Sequence, residues 1–251
     1  MIFQFKNCTS DLNFGQTLFN HVKETVLKYR FNIDLERFNK NLIDPIKLTF
    51  DSKVYNKTMR DLIDGEIIRQ IDKSNTNHIG YFHQNIFNYI GNGWEVPNQG
   101  YDIINPEEKI YVEMKNKHNT MNSSSSQKTY ARMQHTILND SEAKCYLVEV
   151  IAKHSQNITW VVSMDGTQMS HDNIRRISLD KFYEIVTGER EAFKNLCEKL
   201  PLVIEDVVDS MEEETMHSTV FEELEAISPN ILKSLYLLSF SEYEGFSNFN
   251  I

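Results

Sequence analysis

The fold is decided by residues 100–115, whose sequence is GYDIINPEEKIYVEMK. Residues 101–105 and 110–114 are short runs rich in β-branched and aromatic side chains, which favour strands. The pair Asn105-Pro106 between them is typical of a turn. The stretch therefore predicts an antiparallel hairpin, and its apolar character predicts that both strands lie in the middle of a sheet.

The register of this hairpin brings charged side chains together. With a loop of four residues, Asn105 faces Ile110 and Asp102 faces Glu113. Opposed carboxylates on neighbouring strands lie about 5 Å apart and repel each other, so a cation is expected between them. Because side chains alternate along a strand, Lys115 shares the face of Glu113.

This grouping predicts a metal-dependent phosphodiesterase site. Two carboxylates suit Mg²⁺, a hard cation that takes oxygen ligands and keeps several waters. A lysine beside the ion can hold the attacking water and stabilise charge on the phosphate. Asp102 and Glu113 are therefore candidate metal ligands, and Lys115 completes the candidate catalytic set.

The pattern acid-x-Lys has little specificity by itself, since it also occurs at 51–53, 107–109 and 142–144. Only Glu113 interrupts an apolar strand that follows a partner acid. The alternative is an edge hairpin with solvated charges on one face, and the pattern alone leaves both interpretations open.

Asp102 and Glu113-Met-Lys115 resemble the PD-(D/E)xK nuclease superfamily, with Tyr101 in the place of the proline. The wider stretch 78–153 resembles type II restriction endonucleases, particularly a group that cuts GGNCC-like palindromes. The segments that carry this likeness are HIGYFHQ at 78–84, EMKNKHNTMN at 113–122 and ISLDKFYEIVTG at 177–188. The resemblance implies an α/β fold with a PD-(D/E)xK core, a mixed central β-sheet flanked by helices, and extra N- and C-terminal helices. It also implies Mg²⁺-dependent double-strand cleavage at a short palindromic DNA site.

Apolar periodicity predicts helices at 11–29, 57–72 and 78–90. Glu66 lies on the apolar stripe of the second helix, where a carboxylate is costly unless it is paired or coordinated. Members of the superfamily often use an acid from a helix before the hairpin at the metal site. The resemblance therefore implies Glu66 as a further metal-site residue, with a surface or capping role as the alternative.

Length and composition favour one domain. The 251 residues, of which 40% are hydrophobic, can bury one large core. We expect a single endonuclease domain over residues 1–251, with a catalytic core at 57–165 and an acidic helical C-terminal portion at 200–251. Within these parts, further elements are predicted as strands at 145–152 and 159–163 and as helices at 220–226 and 231–238.

The net charge of −10 at first opposes DNA binding, but its distribution does not. Residues 201–251 hold eleven acids and one base, so they carry the whole net charge and the first 200 residues balance to zero. The segment 114–135 contains no acid and forms a basic stripe, which is either a DNA-contacting surface or a solvated loop and helix face. The serine run at 123–126 is either a linker or a phosphate-contacting loop.

Candidate DNA contacts come from this stripe. Lysine and arginine side chains bind phosphates, whereas amide, lysine and histidine side chains can reach base edges. Base readers are expected between Asn116 and Asn122 or in the following helix, and the candidates are Asn116, Lys117, His118, Asn119 and Asn122. Lys128 and Arg132 are the candidate phosphate contacts.

A palindromic site requires two-fold symmetry, which predicts a homodimer with two active sites. The resemblance implies a cognate DNA methyltransferase in the same system, but not as a bound partner. The three cysteines lack metal spacing and fit a reducing cytoplasm, and no apolar run approaches the length that spans a membrane.

Several chemistries have no motif here. The chain contains no Walker loop, dinucleotide fingerprint or HExxH sequence, which disfavours NTP hydrolysis, hydride transfer and zinc proteolysis. Two alternatives stay open, namely a non-catalytic DNA-binding or interaction module on the same fold and a structure-specific repair or recombination nuclease.

Overall fold

The computed structural model describes residues 11–41, 43–211, 216–240, 243 and 251. The chain divides into two compact units. The first unit contains Met1–Leu27 and Ile79–Met211, and the second contains Lys28–His78 and Glu212–Ile251. The single-domain expectation for residues 1–251 stays a prediction.

The elements below are numbered along the described chain. The helices are α1 (Asp11–Val26), α2 (Leu35–Asn39), α3 (Pro45–Tyr55), α4 (Met59–Asn85), α5 (Ser123–Asn139), α6 (Leu179–Thr187), α7 (Ala192–Asp209), α8 (Val220–Ile227) and α9 (Ile231–Phe240). The strands are β1 (Asn32–Ile33), β2 (Ile103–Asn105), β3 (Ile110–Lys117), β4 (Lys144–Ile151), β5 (Asn157–Thr159), β6 (Val162–Met164), β7 (Thr167–Met169), β8 (Ile174–Ser178) and β9 (His217–Ser218).

A mixed sheet forms the centre of the first unit. Among the described residues it has five strands in the order β2-β3-β4-β8-β5. Strands β3, β4 and β8 are parallel, while β2 and β5 run antiparallel to their neighbours. The chain passes from β3 to β4 through α5, as a parallel crossover requires. The predicted mixed central sheet flanked by helices is confirmed, and it continues beyond position 165 to Ser178.

The hairpin has the predicted register over Ile103–Asn105, because Asn105 pairs with Ile110 and Ile103 pairs with Val112. Asp102 precedes the paired residues, and its N–H donates to the carbonyl of Val112 at 2.9 Å. The prediction that both strands are central is wrong for β2, which lies at the edge of this sheet. On its outer side, Ile104 exchanges two backbone hydrogen bonds of 2.9 Å with Glu95. This bridge satisfies backbone groups that an edge strand would otherwise expose.

The two faces of the sheet pack against different helices. On one face, Val112, Met114 and Val148 pack with α1, α6, α7 and the end of α4 around the fully buried ring of Phe182. On the other face, Leu147 and its neighbours pack against the buried Tyr130 of α5. This second face carries the odd-numbered residues of β3, and so it contains Glu113 and Lys115.

The second unit has its own core. Buried side chains of α2, α3, α4, α8 and α9 pack around Phe38 and Ile63, both fully buried. Strands β1 and β9 form a short parallel pair within it. The two C-terminal helices predicted from periodicity are confirmed as α8 and α9.

Two local predictions are wrong. The helices expected at 57–72 and 78–90 form one helix, α4, followed by a 3-10 turn at Ile86–Tyr89. The polar run at 73–77 contains no proline, so nothing breaks the backbone there. The strand expected at 159–163 is interrupted at Trp160, which turns inward and stacks edge-on against Tyr130 with ring centroids 5.4 Å apart.

None of the helices in the described part of the chain is both long and apolar enough to cross a bilayer.

Candidate active site

The three predicted catalytic side chains lie together at the start of the hairpin and on β3. The Glu113 carboxylate accepts a hydrogen bond from the Lys115 ammonium group at 2.7 Å. One Asp102 oxygen accepts from the backbone N–H of Met114 at 2.7 Å, which places this carboxylate over β3. Alternation along β3 explains the grouping, because Val112 and Met114 point into the core on the opposite face.

Asp102 lies in an environment that disfavours its charge. Burial, followed by repulsion from Glu113, raises the pKa of Asp102, and the N–H of Met114 together with Lys115 and Arg132 offsets only part of this. Within the described residues Asp102 forms no ion pair. A cation bound to its oxygens would relieve that cost.

Arg132, predicted to bind phosphate, contacts the catalytic carboxylate directly. From α5 its guanidinium group forms an ion pair with Glu113 and donates to the backbone carbonyl of Gly100 at 2.8 Å. It also lies over the ring of Tyr101, 4.6 Å from the centroid. Glu113 therefore shares its two oxygens between Lys115 and Arg132.

The site opens into a pocket of about 470 Å³ that we call the cationic pocket. It is lined by Glu113, Lys115, Thr120, Met121, Ser125, Lys128, Thr129 and Arg132. Lys128 thus faces the same space as Glu113 and Lys115.

The donor set fits a hard divalent cation. Asp102 and Glu113 supply carboxylate oxygens, the ligands that Mg²⁺ prefers. Among the described residues no three His, Cys, Asp or Glu side chains converge. An ion here would therefore take its other ligands from water and substrate phosphate, as Mg²⁺ commonly does.

The remaining predicted DNA contacts occupy the end of β3 and the connection to α5. Lys117 and Asn119 are exposed, and Asn116 lies against Gly80 of α4. Asn122 caps α5 by accepting from the N–H of Ser125 at 2.8 Å. The serine run is therefore the first turn of α5 and not a linker.

A buried charge network next to the catalytic face was not predicted from the sequence. Glu149 of β4, only 2% exposed, forms an ion pair with Arg176 of β8. Its second oxygen lies 3.0 Å from Nδ1 of His118. Arg176 also donates to the Asn119 side-chain oxygen at 3.1 Å. The predicted DNA contacts His118 and Asn119 are thus held by two interior strands. The sequence did contain an indication of this network, because Glu149 is the one carboxylate among the apolar residues 145–151.

Removing Glu149 should destabilise the fold, because Arg176, whose side chain is only 20% exposed, would lose its carboxylate partner. We expect Glu149→Ala to lower the free energy of unfolding by about 3 kcal/mol at pH 7. In urea titrations, the matched change Glu184→Ala at the partly exposed Lys181–Glu184 pair should cost less than about 1 kcal/mol.

The same loss should depend on pH. Burial raises the pKa of Glu149, but hydrogen bonds from Arg176 and His118 outweigh burial and hold that pKa below its usual range. A lowered pKa means that the carboxylate stabilises the fold above its unfolded pKa and ceases to do so as pH falls through the folded one. The difference between wild type and Glu149→Ala should therefore shrink in acid. If the two proteins differ in free energy of unfolding by the same amount at pH 7 and in acid, the assigned ion pair is contradicted.

Glu66 lies in the second unit, on the part of α4 before position 78. Its carboxylate accepts from Arg69 Nε at 2.7 Å and from Gln70 at 3.0 Å. Burial raises the pKa of Glu66, but these hydrogen bonds outweigh it and lower the pKa overall. The contacts explain how an acid is tolerated on this stripe, and its assignment to a metal site stays a prediction.

The sequence of this chain is similar to those of known proteins. The family model described as Eco47II restriction endonuclease matches residues 13–209. The type II restriction enzyme Sau96I of Staphylococcus aureus is 32% identical over 187 residues, which cover 71% of this chain and 72% of that protein. The type II restriction enzyme Eco47II of Escherichia coli is 30% identical over 208 residues, covering 77% of this chain and 85% of that protein.

Proposed function

Because the chain belongs to the Eco47II restriction endonuclease family and is a type II restriction endonuclease, we propose that it makes magnesium-dependent double-strand cuts at a short palindromic DNA site. The observation that carries this proposal is the meeting of Asp102, Glu113 and Lys115 on one face of the hairpin. Their arrangement supports a PD-(D/E)xK site, and the resemblance in the sequence supports a GGNCC-like palindrome.

In this proposal Asp102 and Glu113 hold the Mg²⁺ ion. The ion, when bound, lowers the pKa of a water ligand and polarises the scissile phosphate. Lys115, whose ammonium group lies 2.7 Å from Glu113 and faces the cationic pocket, orients the attacking water and stabilises negative charge on the phosphate oxygens. Hydrolysis forms one phosphorus–oxygen bond to water and breaks one to the leaving sugar oxygen.

Arg132 and Lys128 position the substrate. Both line the cationic pocket, where their charges suit the phosphates next to the scissile one. Arg132 and Lys115 each bind one oxygen of Glu113. If a DNA phosphate bound the Arg132 guanidinium group instead, one Glu113 oxygen would become available to the metal ion. The base readers proposed in addition are Asn116, Lys117, His118, Asn119 and Asn122.

Two copies of the chain would cut the two strands of a palindrome, since a two-fold site is matched by a two-fold protein. We propose a homodimer for this reason. A cognate methyltransferase would protect the host DNA without forming a complex with this protein.

Plasmid digestion tests the function. Purified protein with Mg²⁺ should give discrete linear fragments, and EDTA should stop the reaction. Sequencing the fragment ends would then give the site, the cut position and the overhang. Binding without cleavage in Mg²⁺ would instead indicate a non-catalytic module, and cleavage restricted to junctions or damaged DNA would indicate a repair or recombination nuclease.

A further inference from the structure

A second pocket is lined by Asp102 but not by Lys115, and we call it the amide pocket. It encloses about 470 Å³. One wall comes from the end of α4 and the 3-10 turn, through Tyr81, Gln84, Asn85 and Asn88. The other wall is the segment 96–102, which ends at Asp102 itself.

The lining of the amide pocket is polar but nearly uncharged. Gln84, Asn85, Asn88, Asn98 and Gln99 all carry carboxamide groups, and Asp102 is the one charged side chain among the described residues that line it. The cationic pocket differs, because it holds two lysines and an arginine. Cationic side chains bind phosphates, whereas a carboxamide presents a donor and an acceptor together, as the edges of bases require.

The two pockets share one wall. Arg132 of the cationic pocket donates to the carbonyl of Gly100 and stacks on Tyr101, and both of these residues line the amide pocket. Asp102 lines the amide pocket and Glu113 lines the cationic pocket. A DNA strand that extends from one pocket to the other therefore passes over the two catalytic carboxylates.

The carboxamides are placed in order along the helix. Gln84 and Asn85 share one face of α4 with Tyr81, three and four positions earlier, and Asn88 follows in the 3-10 turn. Asn88 accepts a hydrogen bond from the N–H of Val96 at 3.0 Å, so it anchors the segment opposite. Among the other lining amides, Gln84 on α4 and the exposed Gln99 on the segment have the longest side chains, so they can meet a ligand from two sides.

We propose that the amide pocket binds base edges of duplex DNA next to the scissile phosphate, with Gln84 and Gln99 as specificity-determining residues. The inference rests on the proposed endonuclease function and adds a reading surface outside the basic stripe at 114–135. It places base contacts on the Asp102 side of the site, in addition to those proposed at 116–122, while Lys128 and Arg132 contact phosphates on the Glu113 side.

The test uses full-length Gln84→Ala, Gln99→Ala and the double variant, with Gln168→Ala on β7 as an exposed control of the same residue type. Binding is measured in Ca²⁺ by fluorescence anisotropy. The probes are a short duplex carrying the site mapped from wild-type fragment ends, duplexes with one base pair exchanged, and an unrelated duplex. Urea unfolding verifies that each variant folds, and Gln99 lies in an exposed segment where truncation leaves the core intact.

Each pocket substitution should lower affinity for the cognate duplex by about 10-fold, which is in the range for one lost side-chain contact to a base. Affinity for the unrelated duplex and the slope of affinity against salt should not change, whereas Lys128→Ala should reduce that slope by about one. An equal loss on cognate and unrelated DNA, or no loss in the double variant, would overturn the inference. If wild type shows no sequence preference or cleavage, the proposed function fails instead.

Discussion

Replacing Lys115 by alanine is expected to slow DNA cleavage by on the order of 10²–10³-fold or more, the usual cost of removing a group that stabilises transition-state charge. Affinity for cognate DNA in Ca²⁺ should stay within a few-fold, because Asp102 and Glu113 remain and the ammonium group acts mainly on the reacting phosphate. Single-turnover cleavage and anisotropy measure these two effects separately.

Lys144→Ala is the matched control, because Lys144 belongs to another acid-x-Lys match, Glu142-Ala-Lys144, at the opposite end of the parallel strands. We expect the control to cleave normally. Cleavage at the wild-type rate by Lys115→Ala would rule out the catalytic role of this lysine. If Lys115→Ala lost DNA affinity as strongly as it lost cleavage, Lys115 would be assigned to substrate binding instead.

Replacing Asp102 by asparagine should have two opposite effects. Loss of one of two carboxylates should weaken metal binding by at least about 10-fold and abolish detectable cleavage at ordinary Mg²⁺ concentrations. In EDTA, however, the variant should be more stable than wild type at pH 7 by about 1 kcal/mol, a common gain when a strained functional group is relaxed. Calorimetry with Mn²⁺ and urea unfolding in EDTA measure the two effects.

The sign of this stability change follows from the pKa. Burial and the charge of Glu113 raise the pKa of Asp102, so the folded protein binds this proton more tightly than the unfolded chain does. Above both pKa values the ionised carboxylate therefore destabilises the fold. Below both values Asp102 is neutral in either state, and the advantage of asparagine should disappear.

Asp140→Asn provides a control with the opposite sign. The N–H of Glu142 and the side chain of Lys109 lower the pKa of Asp140, so its substitution should destabilise and not stabilise at neutral pH. If Asp102→Asn is no more stable than wild type in EDTA at pH 7, then burial and repulsion from Glu113 do not destabilise the ionised form of Asp102, and the interpretation is wrong.

The hairpin could be predicted from the sequence because its determinants are local. The turn at Asn105-Pro106 and the alternation along 110–115 fix which side chains face each other, and the structure has that register. The edge position of β2 could not be predicted in this way. Strand order depends on pairings between distant segments, such as the bridge between Ile104 and Glu95.

The charge network shows a second limit of local patterns. Glu149 stands in the run 145–151 as one acid among apolar residues, which indicates a partner but does not identify it. Arg176 lies 27 positions further along and reaches Glu149 only because β8 pairs with β4. In the same way, the amide pocket combines residues of α4 with the segment 96–102, and neither part is distinctive alone.

Strand β3 carries both the catalytic Lys115 and the proposed base reader Lys117, so it fixes the distance between them. Strand β3 ends at Lys117, two residues after Lys115, and at roughly 3.4 Å per residue this extended path covers about 7 Å. Base pairs in duplex DNA are also stacked about 3.4 Å apart along each strand. If Lys117 contacts a base, β3 therefore places the backbone at that contact about two base-pair steps from Lys115. Altered reading residues in this connection would change the preferred sequence, while the cut would stay at the same offset.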